Sequence, residues 1–409
     1  MEWEKVRLGD YISIKSGLAY KGDLIGKGDS ILLGMGCVSF KEKFVFSGAR
    51  PYDDVCDDRF VVKPGDIVLA TRQQSDNLPI LAMPAVIPND FAGKRVIFGT
   101  NLYKVDNNSE LSNEFLFWLF KHQHYVSYIA GVKSGTAVQM VTKKNVEDYK
   151  FLCPPFEIRE KITSILSAYD SLIENNTKRI RLLEQMAENL YKEWFVRFRF
   201  PGYENTEFVD GLPKGWKVRK IKDCYKTCSG GTPNREKSEY YANGTIYWVK
   251  TGEIQDSIII DTEEKITSDA LQHSSAKLLP PNSILMAMYG VNIGKLGILT
   301  RQMSCNQAAC VFLPNKESQT SYYLFFYLKS IREYLMNIGF GAAQQNLSQA
   351  IINKIRIIVP VENVVLKFEQ RISSLYRQID TLQHQSTLLT RQRDLLLPRL
   401  MSGKLEVKA

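Results

Sequence analysis

Residues 368–400 read FEQRISSLYRQIDTLQHQSTLLTRQRDLLLPRL, and their apolar side chains recur every three or four positions. The positions that share this spacing are Phe368, Ile372, Leu375, Ile379, Leu382, Ser386, Leu389, Arg393, Leu396 and Leu400. A seam kept over more than four heptads is typical of a coiled coil. Polar seam residues such as Ser386 and Arg393 cost stability but fix register and partner. We therefore predict a long C-terminal helix that packs against another helix.

A second seam of the same kind lies in the middle of the chain. Its positions are Ile162, Ile165, Tyr169, Leu172, Asn176, Ile180, Leu183, Ala187, Leu190 and Trp194. Pro154-Pro155 and Pro360 precede the two segments, and Pro201-Gly202 follows the first, as expected where helices begin and end. Because an equivalent helix lies inside the same chain, the simplest arrangement is an antiparallel coiled coil of the two.

The segments in front of the two helices repeat each other. The matching landmarks are Trp3 with Trp216, Asp10 with Asp223, Gly17 with Gly230, residues 63–70 with 280–287, and residues 135–142 with 341–348. The sequence therefore predicts an α+β fold with a pseudo-twofold internal repeat, which suits a pseudo-symmetric partner such as duplex DNA. We place two similar mixed α/β domains at residues 1–154 and 206–359, and the helices at 155–200 and 360–409.

Strands predominate in the prediction for each domain. The runs that read as strands are Ile67–Ala70, Val96–Phe98, Leu102–Val105, Ile258–Ile260, Ile284–Met288 and Ile355–Val359. Leu116–Phe120 and Tyr322–Leu328 predict short aromatic helices at nearly equivalent positions. Their continuous apolar faces favour a place in the core over stacking on bases.

Composition narrows the class of protein. The formal net charge of the 409 residues is +9, and most of the basic excess lies in the second half, a modest signal for a nucleic-acid binder. No apolar run approaches 20 residues and no leader pattern is present, so we expect a cytoplasmic protein without a membrane span. The seven scattered cysteines are expected to be reduced thiols.

No set of residues points to catalysis. Residues 153–156 (CPPF) lack the Asn or Asp that opens an amino-methyltransferase motif, and residues 290–295 fail the P-loop spacing. The four histidines complete no zinc spacing with a cysteine pair. His122 and His124, predicted to lie on one helix, should point apart. We therefore predict no catalytic residue, no metal site and no cofactor in this chain.

Binding chemistry is concentrated in two polar segments of each domain. These are residues 71–77 (TRQQSDN) and 133–139 (KSGTAVQ), and at equivalent places residues 288–295 (MYGVNIGK) and 340–346 (FGAAQQN). Arg reads guanine edges, Gln and Asn read adenine edges, and Lys, Ser and Thr take phosphates. The predicted DNA-binding residues are Arg72, Gln73, Gln74, Lys133, Ser134, Thr136, Gln139, Lys250, Tyr289, Asn292, Lys295, Gln344, Gln345 and Asn346. Solvated turns would carry the same residue types, so that alternative stays open.

Over essentially its whole length the chain resembles the specificity subunit of type I restriction–modification systems. The phrases that carry the resemblance are residues 190–198 (LYKEWFVRF), 229–233 (SGGTP), 247–253 (YWVKTGE) and 395–405 (LLLPRLMSGKL). Their order matches the layout of that family, in which two target-recognition domains alternate with two conserved helices. The first domain opens less typically, with SGLAYK at residues 16–21.

The resemblance implies a non-catalytic subunit that recognises a bipartite, asymmetric sequence in double-stranded DNA. It also implies two modification (methyltransferase) subunits and restriction (endonuclease and translocase) subunits as partners. S-adenosylmethionine, ATP and Mg²⁺ would then be used by those partners. A coiled-coil scaffold whose paired domains bind protein or RNA is the alternative, and an autonomous methyltransferase is a third. Steep salt dependence would separate DNA binding from the scaffold.

Overall fold

The protein divides into two units, of which unit 1 comprises residues 1–173 and 388–409 and unit 2 comprises residues 174–387. The structure, a computed structural model, describes residues 3–53, 56–74, 79–315, 321–340 and 346–407. Each unit combines one globular domain with part of each of two long helices. The unit boundaries therefore fall inside the helices, and the predicted domain boundaries stay predictions.

Unit 1 is built from twelve short strands and three short helices in the part of the chain that is described. The strands are β1 Glu4–Arg7, β2 Ile12–Ser16, β3 Ile25–Leu33, β4 Ala49–Tyr52, β5 Val61–Val62, β6 Ile67–Ala70, β7 Arg72–Gln73, β8 Pro84–Val86, β9 Val96–Phe98, β10 Leu102–Asn107, β11 Gln139–Met140 and β12 Lys150–Cys153. The helices are α1 Asn113–Lys121, α2 Gln123–Val132 and α3 Lys143–Glu147. Two four-stranded sheets, in the orders β2-β10-β6-β8 and β4-β3-β9-β5, form its framework.

The long helix α4 spans Phe156–Tyr191 and continues into a π-helical turn at Lys192–Val196. The strands of unit 2 are β13 Phe208–Val209, β14 Leu212–Pro213, β15 Lys217–Lys220, β16 Thr227–Ser229, β17 Ile246–Val249, β18 Ser257–Ile259, β19 Lys265–Ile266, β20 Ile284–Ala287, β21 Leu296–Leu299, β22 Ser304–Cys305, β23 Ala309–Phe312 and β24 Arg356–Val359. Its helices are α5 Ser268–Gln272, α6 Tyr322–Ser330, α7 Arg332–Phe340 and α8 Gln349–Lys354, and α9 spans Glu362–Met401. The main sheet has the order β16-β23-β20-β21-β18.

Equivalent backbone hydrogen bonds confirm the internal repeat. Strand β1 pairs antiparallel with β12, and β15 pairs antiparallel with β24. The Leu8 N–H then donates to the Tyr149 carbonyl at 2.8 Å, and the Ile221 N–H donates to the Ile355 carbonyl at 2.9 Å. The two copies therefore share the register of this strand pair and the hydrogen bond that follows it.

Each unit contains opposite ends of the two long helices. In unit 1, Leu166 near the start of α4 shares a buried core with Leu400 near the end of α9. In unit 2, Tyr191 at the end of α4 packs against Phe368 near the start of α9, with ring centroids 6.3 Å apart. The helices therefore pair antiparallel, which confirms the arrangement predicted from their seams.

The prediction was wrong at one position of the first seam. Leu172 is 54% exposed, whereas Asp170, two residues earlier, is only 6% exposed. The pattern favours a leucine over an aspartate, but Asp170 is buried because Arg393 on α9 donates to its carboxylate at 2.6 Å. Arg393 and Asn176, the polar residues predicted on the seams, are both buried.

The aromatic helices lie where the sequence predicts them. The rings of α1, including Phe115, Trp118 and Phe120, are almost completely buried, and so are Phe325 and Phe326 of α6. They pack into the cores of their own units, which confirms the preference for a core role. No helix in the described part of the chain has the length and apolar character needed to cross a membrane.

Candidate nucleic-acid interface

The two polar segments of unit 1 form one surface. Strand β7 pairs with β11, so that Arg72 lies opposite Met140 and Gln73 lies opposite Gln139. The Val141 N–H also donates to the Thr71 carbonyl at 3.2 Å. Two segments that are more than 60 residues apart in the sequence are thereby joined edge to edge.

The buried side chain of Gln73 links the segments of this surface by hydrogen bonds. Its side chain is 4% exposed, and its Oε1 accepts hydrogen bonds from the backbone N–H groups of Ile80 and Leu81 at 3.1 and 3.0 Å. Its Nε2 donates to Oε1 of Gln139 at 2.5 Å. The amide of Gln73 is therefore engaged within the protein and positions the neighbouring residues. Contact between Gln73 and a base stays a prediction.

The remaining predicted residues of unit 1 face outward to different degrees. Arg72, Gln74 and Thr136 are exposed, and Lys133, Ser134 and Gln139 are partly exposed. Ser75, Asp76 and Asn77 of the first segment lie outside the described residues. Val138 and Met140, which the sequence reasoning did not select, are each 41% exposed. The surface combines a guanidinium, an amide, a hydroxyl and apolar groups, the chemistry needed for phosphates, base edges and thymine methyl groups.

One equivalent backbone hydrogen bond joins the polar segments of unit 2. The Leu347 N–H donates to the Met288 carbonyl at 3.0 Å, the counterpart of the bond between Val141 and Thr71. Asn346 lies beside this junction and is partly exposed. Gln344 and Gln345 lie outside the described residues, so their predicted contacts to bases are not tested.

A tight turn between β20 and β21 presents the first polar segment of unit 2. Gly290 and Gly294 adopt φ values of +74° and +76°, a left-handed conformation that favours glycine. At the tip between them Val291 is 100% exposed, and Tyr289 is 38% exposed. Arg332 donates from Nε to the Gly294 carbonyl at 2.9 Å and anchors the end of the turn.

Asn292 braces the same turn. Its side chain is 8% exposed, and its Nδ2 donates to the carbonyls of Thr251 and Gly252 at 3.0 and 3.4 Å. Lys295, which is partly exposed, donates from Nζ to Oε1 of Gln255 at 2.5 Å. The Asn292 amide therefore faces the protein, whereas Tyr289 and Val291 face away from it.

Lys250 is engaged in ion pairs within unit 2. Its ammonium lies 2.8 Å from a Glu263 carboxylate oxygen and 3.0 Å from a Glu264 oxygen. Hydrogen bonds to these carboxylates, first to Glu263, raise the pKa of Lys250. The cation is therefore balanced within the protein, and a contact of Lys250 with phosphate stays a prediction.

Several residues of the interface were not found by sequence reasoning. Val138 and Val291 lie within the polar segments and Met140 directly follows one of them, but apolar side chains carry no signal for DNA contact until their exposure is known. Arg332 and Asp256 form an ion pair behind the turn, with Nη1 2.9 Å from Oδ2, although they are distant in the sequence. Only the tertiary structure brings such pairs together.

The prediction for the histidine pair was wrong. His122 lies between α1 and α2 with an extended backbone, at φ −68° and ψ 137°, so it shares no helix with His124. The two rings are 5.1 Å apart between centroids. Burial lowers the pKa of His122 to about 4, which keeps the ring neutral near pH 7. In the described residues no three His, Cys, Asp or Glu side chains group as metal ligands would.

Known proteins share both the sequence pattern and the fold. The chain is 27% identical over 305 residues to the type I restriction enzyme MjaIX specificity subunit of Methanocaldococcus jannaschii, covering 72% of this chain and 70% of that protein. It is 24% identical over 472 aligned residues to the HindI specificity subunit of Haemophilus influenzae, covering 99% and 100%. The type I S subunit from M. genitalium has a similar fold, with a TM-score of 0.58 at 14% identity over 100% of this chain and 97% of that one.

The family model for the type I restriction modification DNA specificity domain matches residues 1–185 and 213–391. Each matched segment contains one copy of the repeat, with its joined polar segments and a large part of the long helix that follows it. The two segments together make up most of the chain. Because both copies match one model in this way, the chain belongs to the family of type I restriction–modification specificity subunits.

Proposed function

We propose that this chain recognises a two-part, asymmetric sequence in double-stranded DNA, with one half read by each unit. The observation that carries the proposal is the equivalent junction of polar segments in the two units. The scaffold is repeated, but the exposed side chains differ, with Arg72 and Gln74 in unit 1 and Tyr289 and Val291 in unit 2. A repeated scaffold with different contact residues suits two different half-sites.

In this proposal the chain itself is not catalytic. It binds DNA and brings two modification subunits and the restriction subunits to the site. The modification subunits use S-adenosylmethionine, and the restriction subunits use ATP and Mg²⁺. The alternative of a coiled-coil scaffold for protein or RNA has no support among the relatives, which are named as specificity subunits of type I restriction enzymes.

Domain exchange tests the division of labour between the units. Residues 206–355 are replaced by the corresponding domain of a homologous subunit, and the methylated sites of the assembled complex are mapped. One half of the recognised sequence should change while the other half stays the same. A change in both halves would show that the units do not read independently.

Salt titration tests the choice of ligand. Binding through several phosphates must weaken steeply with salt, with a slope of about −0.9 per phosphate in a plot of log K against log salt concentration. Duplex DNA should show this slope and should compete better than RNA of the same length. A flat salt profile, or a preference for RNA, would contradict the proposal.

A further inference from the structure

Strand β15 of unit 2 is basic and fully on the surface. It reads KVRK, and all four residues from Lys217 to Lys220 are exposed. It pairs with β24 so that Lys220 lies directly opposite Arg356, which is also exposed. We call the exposed cations on these two strands and beside them the basic patch, defined as Lys217, Arg219, Lys220, Lys222, Lys354 and Arg356.

The cations of the basic patch are not neutralised by the protein. Within the described residues no salt bridge reaches any of the six, although other cations of unit 2 have carboxylate partners, such as Lys214 with Glu207 and Arg332 with Asp256. Like charges directly opposite each other destabilise an antiparallel strand pair. Lys220 and Arg356 form such a pair.

The repeat supplies an internal comparison. At the equivalent place in unit 1, Arg7 lies opposite Lys150. There the guanidinium of Arg7 donates to Asp148 at 2.8 Å and lies 3.5 Å from Asp10, so the strand pair is neutralised by its own side chains. The residue that corresponds to Asp148 in unit 2 is Lys354. The second copy therefore carries a cation where the first carries an acid.

Six exposed cations without carboxylate partners form a surface for a polyanion, and phosphates are the groups that Lys and Arg bind in nucleic acids. The patch is also close to the polar segments of unit 2. Helix α8 begins after Ser348, next to the junction at Leu347, and ends at Lys354. Its six residues span about 9 Å at 1.5 Å per residue, less than the width of a duplex.

We propose that the basic patch binds backbone phosphates of the duplex that unit 2 reads, outside the bases of the recognised half-site. The inference rests on the proposed function and deepens it, because it assigns sequence-independent affinity to one unit. Unit 1 lacks the equivalent surface, so this contribution to binding is asymmetric. An acidic face of a partner subunit is the competing occupant.

The test uses the complex of the full chain with its modification subunits. The variant Lys220→Gln/Arg356→Gln removes two exposed cations from the patch. The control variant Lys5→Gln/Lys150→Gln removes two exposed cations from the equivalent strands of unit 1. Affinities are measured over a salt series for a duplex that contains the mapped site and for a scrambled duplex. A second pair, Lys217→Gln/Lys354→Gln, repeats the test at independent positions.

The patch variant should reduce the salt slope by about 2, since each neutralised phosphate contributes about 0.9. The ratio of wild-type to variant affinity then shrinks about tenfold between about 50 and about 200 mM salt. Both duplexes should weaken equally, because phosphate contacts carry no sequence information. The control variant should keep the wild-type slope.

Three results would overturn the inference. An unchanged slope in both patch variants removes phosphate binding from this surface. Loss of the modification subunits with unchanged binding to DNA shows that the patch contacts protein instead. A wild-type complex that binds no duplex at all refutes the proposed function itself, a failure visible before any variant is made.

Discussion

The buried ion pair between the long helices in unit 1 offers a direct test of how they are held together. Nη1 of Arg393 donates to Oδ1 of Asp170 at 2.6 Å, with side chains 9% and 6% exposed. Nζ of Lys43 lies 3.1 Å from the other carboxylate oxygen, and Arg393 also contacts the exposed Asp394 at 2.7 Å. Although burial opposes the charge, the hydrogen bond to Asp170 raises the pKa of Arg393.

Removing one partner of a buried ion pair costs about 3–5 kcal/mol, because the other charge is left without compensation. In Arg393→Met, Asp170 keeps Lys43 as a partner, so we expect a loss near the lower limit, about 3 kcal/mol. The double variant Asp170→Leu/Arg393→Met replaces the pair by apolar groups. It should be more stable than Arg393→Met alone, since it removes the buried Asp170 charge, which the single variant leaves with only the half-exposed Lys43 as a partner.

Native-state hydrogen exchange measures this locally, without requiring the two units to unfold together. Amides of α4 near Leu166 should exchange about 100-fold faster in Arg393→Met, since each 1.4 kcal/mol is a factor of ten. Lys178→Met is the matched control, because the pair between Lys178 and Glu174 is 71% and 62% exposed and such pairs contribute less than about 1 kcal/mol. Wild-type exchange in Arg393→Met, or purely additive effects in the double variant, would refute the reasoning.

Three further outcomes are expected. Gln73→Ala leaves two backbone N–H groups without an acceptor. It should therefore lower the stability of unit 1 by about 1–3 kcal/mol in thermal unfolding. Gln74→Ala should weaken DNA binding at unchanged stability. Burial raises the pKa of Glu369 from 4.5 to about 7. Between these pH values the folded state binds a proton that the unfolded state has released, so the stability of unit 2 should fall as pH rises through this interval. Glu369→Gln should flatten this pH profile in unfolding measured by circular dichroism. Four residues inserted after Thr177 lengthen α4 by about 6 Å. If the long helices set the spacing of the two half-sites, methylation mapping should find the half-sites one or two base pairs further apart, with both of their sequences unchanged.

The long helices and the repeat could be predicted from the sequence because their signals extend over many residues. A seam of ten positions tolerates one misplaced residue, which is why Leu172 did not mislead the prediction of the helix. The choice between Leu172 and Asp170 depends on Arg393, more than 200 residues away, and no local pattern contains that information. The prediction that His122 shares a helix with His124 failed for a related reason. A break of one residue between α1 and α2 leaves little trace in the spacing of the apolar residues.

The candidate interface could be predicted as segments but not as individual contacts. Residue type tells which side chains can form hydrogen bonds, but their partners are fixed by tertiary structure. Gln73 meets Gln139 across 66 positions, and Asn292 meets Thr251 across 41. Both were selected for their amides, and both use those amides within the protein.

The residues that brace the polar segments are different from the residues that face outward. Gln73 and Asn292 brace their segments from behind, whereas Arg72 and Val291 face outward from the same segments. A braced segment loses less conformational entropy when it binds, so its outward residues can be exchanged without first rebuilding the loop. Two copies of one scaffold could therefore diverge in what they recognise while the bracing bonds kept each surface in place. Substitutions at Arg72 or Val291 are expected to alter the recognised sequence while the stability of the unit is retained. Substitutions at Gln73 or Asn292 are expected to lower the stability of the unit while the recognised sequence is retained.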